Sequence, residues 1–161
     1  LVGCPNAEPE FSSIDGGATW DSLSDSDREQ LACNDVPDYY EENLSDDELK
    51  RAGCYIGGAT AGAVDYALSG DADMATAACE AAYDECLNSD EGGEEGGGEC
   101  DSSAYADECT FTVDELKACS DETIDGFKEL AAASCSDIDW AAPPEEGSDG
   151  ACTVIADKCQ P

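Results

Sequence analysis

Eleven cysteines in 161 residues, no two of them spaced CxxC, set the terms on which this chain can fold. Without that spacing, zinc ribbons, iron–sulfur motifs, thioredoxin-like centres and haem attachment all lack their signature. What is left is a disulfide framework made in an oxidising compartment. The framework answers a physical need. Forty Asp and Glu face six Lys and Arg, a formal net charge of −34. Leu, Ile, Val and Phe number only 22, about 14% of the chain and under the roughly 20% below which a highly charged sequence is expected to stay disordered. Burial therefore falls short of chain entropy, and several cross-links at about 2–4 kcal/mol each close the gap.

Composition removes whole classes of function. There is no His, so no Ser-His-Asp or Cys-His constellation, no HExxH zinc site and no imidazole base. No phosphate-cradling glycine loop is present, and the chain reads as non-enzymatic and without a cofactor. Only carboxylate-pair chemistry survives, and it would need two acids converging in a pocket with opposed pKa shifts. A body this negative has almost no cations with which to displace the counterions of nucleic acid, and it is repelled by anionic membrane surfaces. The longest largely apolar run, 52–68, carries Asp65 and four glycines and is short of the roughly 20 residues of a spanning helix.

An odd cysteine count leaves one over. The opening Leu1-Val2-Gly3-Cys4 resembles the lipobox of bacterial lipoproteins, in which the cysteine becomes the acylated first residue of the mature chain. That resemblance implies a lipid on Cys4 and, with Pro5 where an inner-membrane retention signal places Asp, export to the outer membrane. The alternative is ordinary secretory cleavage ahead of Leu1, with a cysteine left for an intermolecular bond. With Cys4 set aside, ten cysteines remain for disulfides: Cys33, Cys54, Cys79 and Cys86 before the Gly- and Glu-rich stretch 89–99, and Cys100, Cys109, Cys119, Cys135, Cys152 and Cys159 after it. Both sets are even, which suits two helical modules, 1–88 and 100–161, joined by that linker.

Helix signals are legible. Leu44-Ser45-Asp46-Asp47-Glu48-Leu49 is a capping box with flanking leucines spaced as a hydrophobic staple, and Phe111-Thr112-Val113-Asp114-Glu115-Leu116 repeats the pattern. After the second, Leu116, Cys119, Thr123, Phe127, Leu130 and Ala131 mark one face of a helix over about 113–134. A short helix is expected over 24–33 and an Ala-rich one over 73–87, after a stop at Ser69-Gly70. No segment alternates with period 2, so the fold class is all-α: a small, disulfide-stapled helical protein. Helix rise keeps Cys119 from Cys135 and Cys79 from Cys86. The economical solution pairs Cys79 and Cys86 with Cys33 and Cys54, and meets Cys119 and Cys135 from the 100–109 loop and the 152–159 tail.

Candidate sites are few. Asp25, Asp27 and Glu29 alternate as cation ligands do, but an EF-type loop counted from Asp25 puts Gln30 and Val36 at its glycine and glutamate positions. Helix capping is the competing explanation, here and at Asp71-Ala72-Asp73 and Asp137-Ile138-Asp139. Asn43-Leu44-Ser45 matches a glycosylation acceptor whose Ser is also a helix cap. Gly53, Gly57, Gly58 and Gly62 give small-xxx-small spacing, suited to close approach of two linked helices in one monomer or, alternatively, to a partner helix. Trp20, Tyr39, Tyr40 and Trp140 are expected mostly in the core. The uniform spread of acids suits a salty habitat, the alternative being a basic partner or divalent cations. The reading is an exported cell-envelope protein, outer-membrane-anchored or extracellular, with protein partners. It resembles the acidic, cysteine-rich lipoproteins of gram-negative bacteria, which implies a structural or adhesive role. The alternative is a secreted subunit of an extracellular or envelope-spanning filament, joined through Cys4 or the small-residue face.

Overall fold

A computed structural model describes residues 11–89, 108–142 and 150–159. Cys4, Cys100 and all of the 89–99 segment but Ser89 lie outside the described residues. Among the described residues six α-helices follow in order: α1 (Asp25–Gln30), α2 (Val36–Asn43), α3 (Asp46–Ser69), α4 (Ala72–Asn88), α5 (Val113–Ala132) and α6 (Ala151–Lys158). Among the described residues there is no strand, only an isolated antiparallel bridge between Thr19 and Thr112. The protein is an all-α fold stapled by disulfides.

Both capping boxes form. Ser45 Oγ accepts from the Glu48 N–H and the Glu48 carboxylate accepts from the Ser45 N–H at 2.9 Å. Thr112 and Glu115 exchange the same two bonds, at 2.8 and 3.2 Å. The staples differ: Phe111 and Leu116 are both buried, whereas Leu44 is buried and Leu49 stays 41% exposed. Gly70 closes α3 in the left-handed conformation, φ 68°, which a side chain would resist.

The helix expected to end near Cys33 does not. A π-helical segment, Leu31–Asp35, joins α1 to α2, with the Val36 N–H bonded to the Leu31 carbonyl. Pro37 has no N–H to give, and its ring would crowd the carbonyl four residues back. One widened turn takes up that defect and the chain stays helical to Asn43.

The chain forms two compact units, each discontinuous in sequence: Leu1–Asn43 with Gly97–Ile124 and Ser148–Pro161, and Leu44–Gly96 with Asp125–Gly147. This partition differs from modules at 1–88 and 100–161, because each unit draws chain from both sides of 89–99. In the first unit, residues 16–21 and 109–114 run side by side, with Trp20 N–H to Phe111 O at 2.9 Å and Val113 N–H to Ala18 O at 3.1 Å. Trp20 and Phe111, each 1% exposed, stack at 5.5 Å. Leu31, Val113, Leu116 and Ile155 complete this core.

In the second unit α3 and α4 are neighbours in a helical hairpin. Gly58 and Gly62 set their approach: a Cβ on Gly58 would lie 2.8 Å from the Cys79 carbonyl, and one on Gly62 would lie 2.7 Å from the Ala75 carbonyl and 2.3 Å from the Trp140 ring. Trp140 donates its indole N–H to Thr76 Oγ1 at 2.9 Å. Small residues therefore do bring two helices together within one monomer. Gly53 and Gly57, on the other side of α3, face open space.

Four disulfides join described cysteines: Cys54–Cys86, Cys79–Cys135, Cys109–Cys159 and Cys119–Cys152. Cys33 is disulfide-bonded as well. Cys54–Cys86 and Cys119–Cys152 follow the expected scheme. Cys79 does not pair with Cys33 or Cys54 but with Cys135, because α5 stops at Ala132 and a 3-10 turn, Cys135–Asp137, brings Cys135 beside α4. Cys109 and Cys159 take each other, leaving neither for Cys135.

Candidate functional site

A cavity of about 820 Å³ lies in the first unit between α2 and the start of α5, with Phe11, Ile14, Tyr39, Val113, Lys117 and Asp121 in its lining. Tyr39 reaches it from α2, its ring edge-on to Phe11 at 5.1 Å. Lys117 and Asp121 stand one turn apart on α5. The Tyr39 hydroxyl donates to Asp121 Oδ1 at 2.6 Å, and the Lys117 ammonium donates to Asp121 Oδ2 at 2.7 Å. The same ammonium lies 5.2 Å from the centre of the Tyr39 ring, within cation–π range.

The electrostatics follow from that geometry. Burial pushes the Tyr39 phenol above 10.0, and the bond it gives Asp121 adds to the rise. The bond to Asp121, then contact with Tyr39, raises Lys117 above 10.5. Burial works against the charge on Asp121, but Lys117 and Tyr39 together outweigh it and hold the carboxyl below 3.8. All three groups thus move away from neutrality. A phenol, an ammonium and a carboxylate so arranged hold one another and a positive charge; none is poised to exchange a proton at pH 7.

A second, smaller cleft of about 280 Å³ lies wholly in the other unit, lined by Tyr55 of α3, Glu80, Tyr83 and Asp84 of α4, and Ala133 to Cys135. Gly58 lets α3 close on α4 here, since its Cβ would come within 3.3 Å of the Tyr83 Cβ. The Cys79–Cys135 bond ties the Cys135 wall to α4. Burial raises the Tyr55 phenol above 10.0, with the nearby Asp137 carboxylate adding to it. No Lys or Arg lines this cleft.

The residues singled out as metal ligands serve a helix start. Ser24 caps α1 by accepting from the Asp27 N–H, and its hydroxyl donates to the Asp27 carboxylate at 2.7 Å. Asp25 and Asp27 sit in that first turn with Glu29 beyond, and Asp71 caps α4 in the same way. Among the described residues no group of three or more His, Cys, Asp and Glu is gathered to hold a metal ion. No described helix is long and apolar enough to cross a membrane. Of the aromatic residues expected in the core, Trp20 and Tyr39 are buried and Tyr40 and Trp140 half-buried.

Sequence reasoning passed over Lys117, Asp121, Tyr55 and Tyr83. One signal was available: with six cations against forty acids, every Lys and Arg is a place to ask what it holds, and Lys117 with Asp121 has i,i+4 spacing. The partnership with Tyr39, 82 residues away, leaves no local trace. No protein-family model matches the chain, and no curated protein or solved structure is significantly similar to it.

Proposed function

We propose that this is a non-enzymatic, exported protein of a bacterial cell envelope, lipid-anchored through Cys4 and acting by holding protein partners. The observation that carries this reading is that all nine described cysteines are in disulfides, a state that persists where the surroundings are oxidising. The lipobox-like Leu1-Val2-Gly3-Cys4 supplies the anchor. The Tyr39–Lys117–Asp121 group supports a binding role over a catalytic one, because its protons are held away from neutral pH.

The test is an intact mass, native and reduced, on protein from its own organism, with a peptide map before reduction. A chain beginning at Cys4 with an acyl-sized increment and ten hydrogens missing is the expected result. Lipid on Cys4 leaves Cys100 as the cysteine available to Cys33, so the map should contain a Cys33–Cys100 peptide. A Cys4–Cys33 peptide, or an unlipidated chain containing Leu1, overturns the anchor.

A second reading, a secreted subunit of an extracellular assembly, draws on α3. Gly53 and Gly57 face open space, and Ile56, Val64 and Leu68 are 48%, 57% and 83% exposed. A disulfide-linked dimer in the mass measurement would select it.

A further inference from the structure

The first unit holds a cation between a tyrosine ring and a carboxylate, and the second unit offers the same groups without one. Lys117 sits 2.7 Å from Asp121 and 5.2 Å from the Tyr39 ring. In the second cleft two tyrosines, Tyr55 and Tyr83, stand with Glu80 and Asp84, and Asp137 is close enough to act on Tyr55. Neither phenol hydroxyl has a hydrogen-bond partner among the described residues, in contrast to Tyr39.

None of the chain's own cations lines this cleft. Lys50 donates to the Ser89 carbonyl, Arg51 pairs with Asp47, Lys158 pairs with Glu115, and Arg28 donates to the Trp20 carbonyl. We propose that the Tyr55–Tyr83–Glu80–Asp84 cleft accepts the side chain of a lysine from a partner protein.

Three features favour that occupant. The carboxylates are one helical turn apart on α4 with Tyr83 between them in sequence, so an ammonium at the rim meets both charges while its methylene stem lies along the rings. The volume, about 280 Å³, is at the small end of ligand pockets and suits one extended side chain. Charge complementarity adds to this, since a protein of net charge −34 steers basic partners toward itself and acidic ones away. Acids alone do not mark the place, for they are everywhere on this surface; the two tyrosines and the concave wall do. The inference gives chemical content to the partner-binding half of the proposed function and is independent of the anchor on Cys4.

The experiment is a titration of the full disulfide-bonded chain with Nα-acetyl-lysine N-methylamide, read by NMR of the tyrosine rings. The norleucine and arginine analogues serve as comparisons. Saturable shifts at Tyr55 and Tyr83 are expected, with Tyr39 unmoved because Lys117 already occupies its site. The norleucine analogue should give at least fivefold weaker shifts, and E80Q/D84N should weaken the lysine response by at least fivefold. Glu80 and Asp84 are exposed, so that variant keeps the fold. Y83L should weaken it as well, by removing the π face while keeping apolar bulk. Equal response to norleucine, tighter binding of arginine than of lysine, or shifts that never saturate and spread over other acidic positions would each overturn the proposal. Because lipidation is read by mass and the cleft by ring shifts, failure of one leaves the other standing or falling on its own result.

Discussion

The two units solve the same problem by different means. In the first, a scarce cation is placed where helices meet: Lys117 bridges Asp121 on α5 and Tyr39 on α2, and Lys158 of α6 meets Glu115 of α5. In the second, α3 and α4 close through backbone approach at Gly58 and Gly62 and through Cys54–Cys86, and Cys79–Cys135 ties α4 to the turn at Cys135–Asp137. A chain with so few large apolar side chains cannot rely on burial alone. Where it supplies a lysine the tyrosine–carboxylate site is occupied from within; where it supplies glycine and cystine instead, the equivalent groups are left facing outward.

Removing a cystine from the second unit should therefore have the largest effect. C79S/C135S releases a 56-residue separation and should cost about 3–4 kcal/mol, read as a fall in the midpoint of denaturant or thermal unfolding. Amide protection should fall most in α3 and α4, while α1 and α2 keep theirs. Equal loss in both units would break the contrast.

Next come the glycines, where the sign itself is the test. A Cβ on Gly62 meets Trp140 and the Ala75 carbonyl well inside van der Waals contact, so Gly62→Ala should destabilise by about 1–3 kcal/mol as the helices shift apart. Gly53 has nothing within 4 Å, so Gly53→Ala should stabilise by about 0.5–1 kcal/mol through helix propensity. Thermal unfolding of the two variants side by side decides it; two changes of the same sign would refute the division of α3 into a packed and an open face.

What could be read in advance was local. The capping boxes at Ser45 and Thr112 and the Gly70 stop are each written within six residues, and each is present. The continuation of the helix past Cys33 was not legible, because a π turn, a cooperative adjustment of several residues, has no compositional mark. Of the expected α5 face, Leu116 and Ala131 are buried while Cys119, Thr123, Phe127 and Leu130 are half-buried, and Val113, Ser120 and Ile124 complete the buried stripe; Cys, Thr and Ser are too alike in hydropathy for spacing alone to place that stripe to within one residue. Cys79–Cys135 was out of reach because it depends on where α5 stops, and a shift of a few residues there decides whether Cys135 is on the helix or past it. Neither cleft could be read at all. Both join residues distant in sequence, and tyrosines and acids are too common in this chain to signal by themselves.

The smallest effect expected is also the most specific to the occupied site. Y39F removes a hydroxyl bonded to a half-exposed carboxylate and should cost about 1 kcal/mol at pH 7. Its pH dependence distinguishes the bond from general packing. Tyr39 and Lys117 are both held above their ordinary values, so the folded state favours their protonated forms. Their contribution is whole below about pH 10 and is lost as pH climbs through the raised values. Asp121 is held below 3.8, so its contribution is whole above about pH 4 and is lost as pH falls through the lowered value. Wild-type stability should thus decline at both extremes. In K117M, which removes the cation from the group, the acid decline should be shallower, because Asp121 has lost the charge that lowered it. The Tyr39 part of the alkaline decline should persist, because Lys117 acts to lower that phenol and burial and Asp121 to raise it. Unfolding midpoints of wild type and K117M, taken from pH 3 to 11 at constant ionic strength, provide the comparison. If the two curves run parallel, the lysine is a bystander on an exposed helix face, and it cannot stand as the internal model for what the second cleft takes up.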